Sequence, residues 1–302
     1  MSLGILALGF KTLYIGLMKD PKPTVTVVIP TYNRSHLLKK AIQSVISQTF
    51  ENWELVVINN FSEDDTLEVI KGFKDPRIRV INFRNFGSIA ASRNQGAIHA
   101  SAELVAYLDS DDAWYPKKLE ICLNQMTEDV DFVSHGVCLV EENGARKSYY
   151  TGPLDRAKLE TLVFKGHCFS TSACVLRKKK LDEVGGWNED IGIVTSEDYD
   201  LWVRLTHAKT KFKFVHEVLG DYGIHSGNES SKVKVQFDSS LKVIRKSFHL
   251  IENQSFLNKL KLQWRISVVR FSVMKLFIKQ ADWGSGIRQG MLAILPTEFL
   301  AK

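Results

Sequence analysis

A chain of 302 residues with 44% apolar and 25% charged residues holds one large α/β domain with an appendage, and its even composition excludes a repeat or low-complexity protein. Its four cysteines, Cys122, Cys138, Cys168 and Cys174, lack C-x-x-C spacing, which argues against a disulfide framework and for buried free thiols in a reducing, cytoplasmic compartment. The net charge of +6 is uneven: residues 1–231 hold 27 Lys+Arg against 30 Asp+Glu and residues 232–302 hold 13 against 4, so the basic character lies in the tail, without any nucleic-acid-reading motif.

The first 23 residues form an apolar leader, Leu3 to Leu17 interrupted by Lys11, shorter than the about 20 residues of a spanning helix and without a basic n-region. After the Pro21-Lys22-Pro23 linker, Val25 to Ile29 is an apolar run closed by Pro30, the pattern of a strand buried on both faces. Ser35 is a candidate N-cap for a helix carrying Leu37, Leu38, Ala41, Ile42, Val45 and Ile46. Leu55 to Ile58 repeats the strand, Thr66 to Phe73 the helix, Ile78 to Ile81 the strand, Ala90 to Ala100 the helix, and Leu104 to Leu108 the strand. This alternation predicts a mostly parallel central sheet flanked by helices, with the nucleotide-binding half over about 24–116. Each strand ends in polar residues, Thr31 to Arg34, Asn59-Asn60, Asn82 with Arg84, and Asp109 to Asp112, which should converge on one crevice at the carboxyl edge.

From about 117 to 231 shorter apolar segments, Phe132 to Ser134, Val137 to Val140 and Ser172 to Leu176, are broken by glycines, the pattern of an α+β half that walls the acceptor side. Residues 232–302 are predicted to be a basic, amphipathic helical extension, with one stripe of Leu241, Ile244, Phe248 and Ile251 and a second of Leu260, Trp264, Val268, Phe271 and Leu276. Its partner is an anionic membrane surface, peripheral on the inner face, or an acidic partner, or else the basic face is simply solvated.

Asp109 and Asp111 follow a buried strand two residues apart, so persisting strand geometry would aim both the same way. Carboxylates gathered in a crevice repel unless a cation sits among them, and a hard divalent ion, Mn²⁺ or Mg²⁺, held with substrate phosphate meets that need. The combination Val28-Ile-Pro-Thr-Tyr-Asn-Arg34, Ser47-Gln-Thr-Phe50, Asn94-Gln-Gly96, Leu108-Asp-Ser-Asp-Asp112 with Trp114-Tyr-Pro116 and Leu119, and Ser196-Glu-Asp-Tyr-Asp-Leu-Trp202 resembles the family 2 glycosyltransferases over about residues 24–226.

The resemblance implies a GT-A-like α/β fold and an inverting transfer from a nucleotide-diphosphate sugar to a saccharide or lipid-linked acceptor in cell-surface polysaccharide or glycoconjugate synthesis. It places Pro30, Thr31, Tyr32 and Asn60 at the nucleotide, Arg93 at the donor diphosphate, Asp109 at the nucleotide sugar or the metal, Asp111 on the metal and Asp198 as general base. His225 is a further candidate metal ligand, and Glu197, His167 and Thr171 are candidate acceptor contacts. At the second strand the family's usual Asp pair is replaced by Asn59-Asn60, which keeps a carbonyl acceptor, adds an NH₂ donor and removes the charge. A nucleotidyltransferase would share the carboxylates, but Thr31 to Arg34 lacks that class's glycine-rich loop. A non-catalytic nucleotide-sugar-binding homologue is opposed by the retained Asp109, Asp111 and Asp198.

Overall fold

A computed structural model describes residues 22–225, 227 and 233–279 of the chain. The expected leader lies outside the described residues except for Lys22 and Pro23, as does everything beyond 279. The first half alternates as the sequence predicts: β1 Val25–Thr31, α1 Ser35–Ile46, β2 Trp53–Asn59, α2 Thr66–Gly72, β3 Ile78–Asn82, α3 Ile89–Ile98 and β4 Leu104–Tyr107. The second half runs β5 Ala113–Trp114, α4 Lys118–Asn124, β6 Phe132–Glu141, β7 Arg146–Tyr149, α5 Leu159–Lys165, β8 Cys174–Arg177, α6 Lys178–Glu183, α7 Glu197–His207, β9 Phe212–Ile224, α8 Val233–Phe248 and α9 Phe256–Lys279.

One sheet joins the strands in the order β3-β2-β1-β4-β8-β6-β9-β5, with β7 paired to β6. The parallel part is β3-β2-β1-β4. Beyond it β8 runs antiparallel to β4 and β6, and only β6 and β9 pair in parallel, so the second half is mixed. Period-2 alternation divides the apolar strands between two cores. Val28, Val56, Ile58, Val105 and Tyr107 belong to one cluster with residues of α3, α7 and α8, whereas Val27, Ile29, Leu55, Val57 and Leu108 belong to another with residues of α1 and α4. Burial on both faces explains why the first strands lack polar alternation. Pro30 sits within β1 opposite Ile58 of β2. The pairing with β4 ends at Val28, so the missing N–H of Pro30 breaks no bond on that side.

Two amides rivet distant segments. Gln48 donates from Nε2 to the Ser44 and Tyr115 carbonyls, both 2.9 Å, and accepts from the Leu119 N–H, tying α1 to the loop beyond β5. Asn94 receives the Trp187 N–H and donates to the Trp187 carbonyl, anchoring the Gly185-Gly186-Trp187 turn on α3. Gly96 lets α3 approach β1, where an added Cβ would meet Val28 Cγ1 at 2.1 Å.

Helices α8 and α9 are not a detached tail. Phe237, Leu241, Ile244, Phe248 and Ile251 are buried in the same cluster as α7, as the first predicted stripe requires. In α9 the residues packed inward are Leu262, Ile266 and Val273, while the predicted stripe of Leu260, Trp264, Val268 and Phe271 is exposed. Periodicity alone marks an apolar face without saying what it meets. Among the described residues no helix is long and apolar enough to cross a membrane.

Candidate active site

The crevice lies at the carboxyl ends of β1, β2 and β4. The β1 loop is pinned by Asn33, whose backbone takes the left-handed conformation (φ 49°) that Asn tolerates. Asn33 accepts the Glu63 N–H and gives its own N–H to Ser62 Oγ, so the β1 and β2 loops form one wall. Ser35 is not the cap of α1. It is the first helical residue, and its N–H is received by Asp64 Oδ2 at 2.8 Å from the neighbouring loop. Asp64 also holds the Thr66 N–H and hydroxyl at the start of α2.

Pro30 and Thr31 are buried in this wall, while Tyr32 is 53% exposed and offers its ring to the crevice. Phe61, also left-handed (φ 54°), stands exposed with the Arg84 guanidinium 5.1 Å above its ring. The sequence reading did not single out this pair. Asn59 is consumed by the fold, bonded to Asn82 Oδ1 and to the Ser62 N–H. Asn60 accepts the Asn85 N–H on Oδ1 at 3.0 Å, so the carbonyl expected to face a ligand is engaged and the NH₂ is left for other use.

The acidic run does not continue the strand. β4 ends at Tyr107 and the chain turns, with the Asp112 N–H returning to the Asp109 carbonyl. The carboxylates therefore diverge. Asp109 Oδ1 receives Arg93 Nη2 at 2.8 Å, and Asp111 Oδ2 receives Arg34 Nη1 at 2.7 Å with His225 Nε2 at 3.1 Å. Arg34 also donates through Nη2 to the Gly227 carbonyl, joining the β1 loop to the segment after β9. Asp112 is buried and accepts the Gly223 N–H on Oδ1, leaving Oδ2 without a partner. Burial, with Asp111 and Asp109 adding to it, pushes its carboxyl well above the ordinary range. Ser172 supports the turn from beneath: its hydroxyl receives the Asp109 N–H, and its carbonyl receives the Trp114 indole N–H.

Arg93 differs from its expected place at the diphosphate. It is 3% exposed, lies 4.6 Å over the Trp187 ring, and gives its two terminal nitrogens to Asp109 and to Glu197 Oε1, each at 2.8 Å. Glu197 differs likewise from an acceptor contact, being buried under Arg93. Burial raises its carboxyl above the usual value, Arg93 opposes the rise, and Asp198 adds to it. The neighbouring Asp198, on the first turn of α7, is half-buried and accepts the Tyr199 N–H on Oδ1 at 2.7 Å.

The entry to α7 is strained. Thr195, β-branched, holds φ 74°, and the hydroxyl of Ser196 at the cap position is hydrogen-bonded to the Ser240 hydroxyl of α8 rather than to the helix. A strained, over-determined turn fixes where Asp198 emerges. His167 packs its ring 5.3 Å from Tyr199, whose hydroxyl donates to the Leu162 carbonyl, and Thr171 is buried below it. Burial raises the Tyr222 phenol, and Asp112, Asp109, Asp111 and Asp198 all reinforce the rise. The four carboxylates thus share one electrostatic neighbourhood. Arg34 and Tyr222 were missed because their partners lie far away in the chain.

Among the described residues no group of three or more His, Cys, Asp or Glu is gathered to hold a metal. The oxygens nearest to that role are those of Asp111, beside the His225 imidazole, with the unpartnered Asp112 oxygen behind them.

Comparisons with known proteins bear on the family and the fold. The model described as Glycosyl transferase family 2 matches residues 26–185. An uncharacterized glycosyltransferase of Methanocaldococcus jannaschii is 32% identical over 224 residues, 71% of this chain and 76% of its own length. The Escherichia coli UDP-Glc:α-D-GlcNAc-diphosphoundecaprenol β-1,3-glucosyltransferase WfgD is 36% identical over 181 residues, 60% of this chain and 69% of its own. Against an uncharacterized glycosyltransferase of Rickettsia felis, 28% identical over 220 residues, the match takes in 70% of this chain but 36% of the relative's length. In fold the chain is similar to Staphylococcus aureus TarS, solved with UDP-GlcNAc (TM-score 0.67, 17% identity, 90% of this chain and 82% of that one). It is similar also to the mannosyltransferase PcManGT of Pyrobaculum calidifontis, solved with GDP-Man and Mn²⁺ (TM-score 0.60, 16% identity, 93% and 79%). A GT-A-like α/β fold, the ordered motifs and this family match lead to one conclusion: the chain belongs to glycosyltransferase family 2 and is a glycosyltransferase.

Proposed function

We propose that the protein moves a sugar from a nucleoside-diphosphate donor to a hydroxyl of a saccharide or lipid-linked acceptor, inverting the anomeric centre. The observation that carries this is the bridge Arg93 makes from Asp109, in the acidic turn after β4, to Glu197 at 2.8 Å each, which ties the first turn of α7, where Asp198 stands, to that turn. Asp198 is half-buried, and its neighbour Tyr199 packs against His167 of the proposed acceptor wall. Asp198 takes the acceptor hydroxyl proton as that oxygen attacks the anomeric carbon, and the nucleoside diphosphate leaves from the opposite face. No carboxylate nucleophile is needed. Arg93 and Glu197 act beneath the surface, fixing Asp109 and the first turn of α7 relative to each other.

The nucleotide is held on the β1 and β2 loops, where Tyr32 and Phe61 offer aromatic faces and Asn60 offers its NH₂ to a base carbonyl. The donors in the neighbours' structures, UDP-GlcNAc and GDP-Man, support a nucleotide sugar and leave the base open. The diphosphoundecaprenol-linked acceptor in the name of the Escherichia coli relative supports the lipid-linked class.

A divalent cation fits the residues present. The unpartnered Asp112 oxygen and that residue's raised pKa mark an excess of negative charge, and Asp111 with His225 supplies an oxygen and a nitrogen at one point. A divalent cation held there by Asp111 and His225 would supply positive charge to offset that of the departing diphosphate. The Mn²⁺ in the PcManGT complex with GDP-Man supports a divalent cation as part of this reading.

The test is release of nucleoside diphosphate from a panel of sugar nucleotides as Mn²⁺ is titrated, with the product anomer assigned by NMR. Asp198→Asn is expected to retain donor binding and lower turnover at least about a hundredfold, the scale of general-base catalysis. Release of pyrophosphate, or near-normal turnover of the variant, refutes the assignment.

A further inference from the structure

Helix α9 is apolar on two faces. One face, Leu262, Ile266 and Val273, is buried against the domain. The other carries Leu257, Leu260, Trp264, Val268 and Phe271, all exposed, with Trp264 at 73% and Leu257 at 61%. At 3.6 residues per turn these five fall within about 80° of arc, a continuous stripe rather than scattered surface apolars. Such a surface on a water-soluble face marks a contact site.

Charge selects the partner. The 24 residues of α9 include Lys259, Lys261, Arg265, Arg270, Lys275 and Lys279 and no acidic residue. Lys261 borders the stripe and Lys275 lies at its far end, both exposed. A second copy of this chain would set these cations against each other, whereas an anionic bilayer surface meets both the apolar stripe and the positive charge. We propose that the outward stripe of α9 is an interfacial anchor that seats the enzyme on an anionic lipid surface, with Trp264 at its centre.

The packing gives the anchor a purpose. α9 lies on α5, and Gly166 at the end of α5 takes φ 92° directly beneath the Arg265 guanidinium, where an added Cβ would stand 2.8 Å from Nη2. The chain then passes straight to His167 and Thr171 of the proposed acceptor wall. The anchor therefore holds that wall about one helix diameter, roughly 10 Å, from the headgroups. This deepens the lipid-linked reading of the acceptor, while the lipid contact itself is measured without it.

The experiment is co-sedimentation of the full chain with phosphatidylcholine vesicles and with vesicles containing phosphatidylglycerol, for the wild type, Trp264→Ser and Lys275→Glu. Both substitutions are on the surface, and unchanged thermal melts confirm that they leave the fold intact. Partition onto anionic vesicles is expected to fall about tenfold for Trp264→Ser and severalfold for Lys275→Glu, with weak binding to phosphatidylcholine throughout. Equal partition of wild type and Trp264→Ser overturns the proposal. So does self-association without lipid that Trp264→Ser abolishes, which makes a second copy the occupant. Vesicle binding that requires prior removal of residues 280–302 overturns it as well, because the chain's own end then covers the stripe. Donor hydrolysis in solution is unaffected by Trp264→Ser under the proposal, so loss of lipid binding and failure of the transferase reading give different results.

Discussion

Replacing Arg93 separates the two roles open to this residue. Its guanidinium is fully enclosed and holds Asp109 and Glu197 at 2.8 Å each over the Trp187 ring. Arg93→Met keeps most of the volume but strands two carboxylates, one of them buried with a carboxyl already raised by its surroundings. Breaking a buried pair from one side costs about 3–5 kcal/mol, and urea denaturation followed by tryptophan fluorescence should report a loss of that size. Glu197→Gln should cost less, about 1–3 kcal/mol, because Arg93 keeps Asp109. The double variant leaves no charge stranded at Glu197, so its cost should fall about 2 kcal/mol short of the sum. Additivity within about 0.5 kcal/mol refutes the buried triad. A stable Arg93→Met enzyme with a raised donor KM returns Arg93 to the diphosphate.

Lys118 is buried over the Trp114 ring, and desolvation depresses its ammonium to about 8. Between pH 8 and about 10.4 the unfolded chain holds this proton and the native state does not, so stability attributable to Lys118 rises with pH. The difference between wild type and Lys118→Met should therefore shift by about 3 kcal/mol in the wild type's favour across that range, and a pH-independent difference sinks the reading. Arg34 occupies the Asp111 oxygen proposed for a cation, so Arg34→Ala should tighten Mn²⁺ binding in calorimetry about tenfold. Unchanged or weaker binding means that Arg34 does not compete there.

The parallel half of the fold was legible because β1, β2 and β4 are buried on both faces and are therefore rich in Val, Ile and Leu, with the half-exposed β3 continuing the alternation of strand and helix. The mixed half was not, since short strands such as Cys174–Arg177 give too few residues for a period. At the site, residue types were readable but partners were not. Asp111 and Arg34 lie 77 positions apart, and Arg93 and Glu197 lie 104 apart, so no local spacing announces either pair. Arg93 was therefore assigned outward although it points inward. The α9 stripe illustrates the same limit, because Leu241 and Trp264 lie on stripes of equal regularity and only packing distinguishes them.

The Gln48 and Asn94 amides bear on how such sequences are classified. Both belong to short motifs that mark the family, yet each makes hydrogen bonds to backbone tens of residues away and so serves assembly. A descendant that lost Asp198 would still need them in order to fold. Annotation by those motifs alone therefore certifies ancestry and shape, and an inactive paralogue would pass it; turnover has to be judged at the carboxylates.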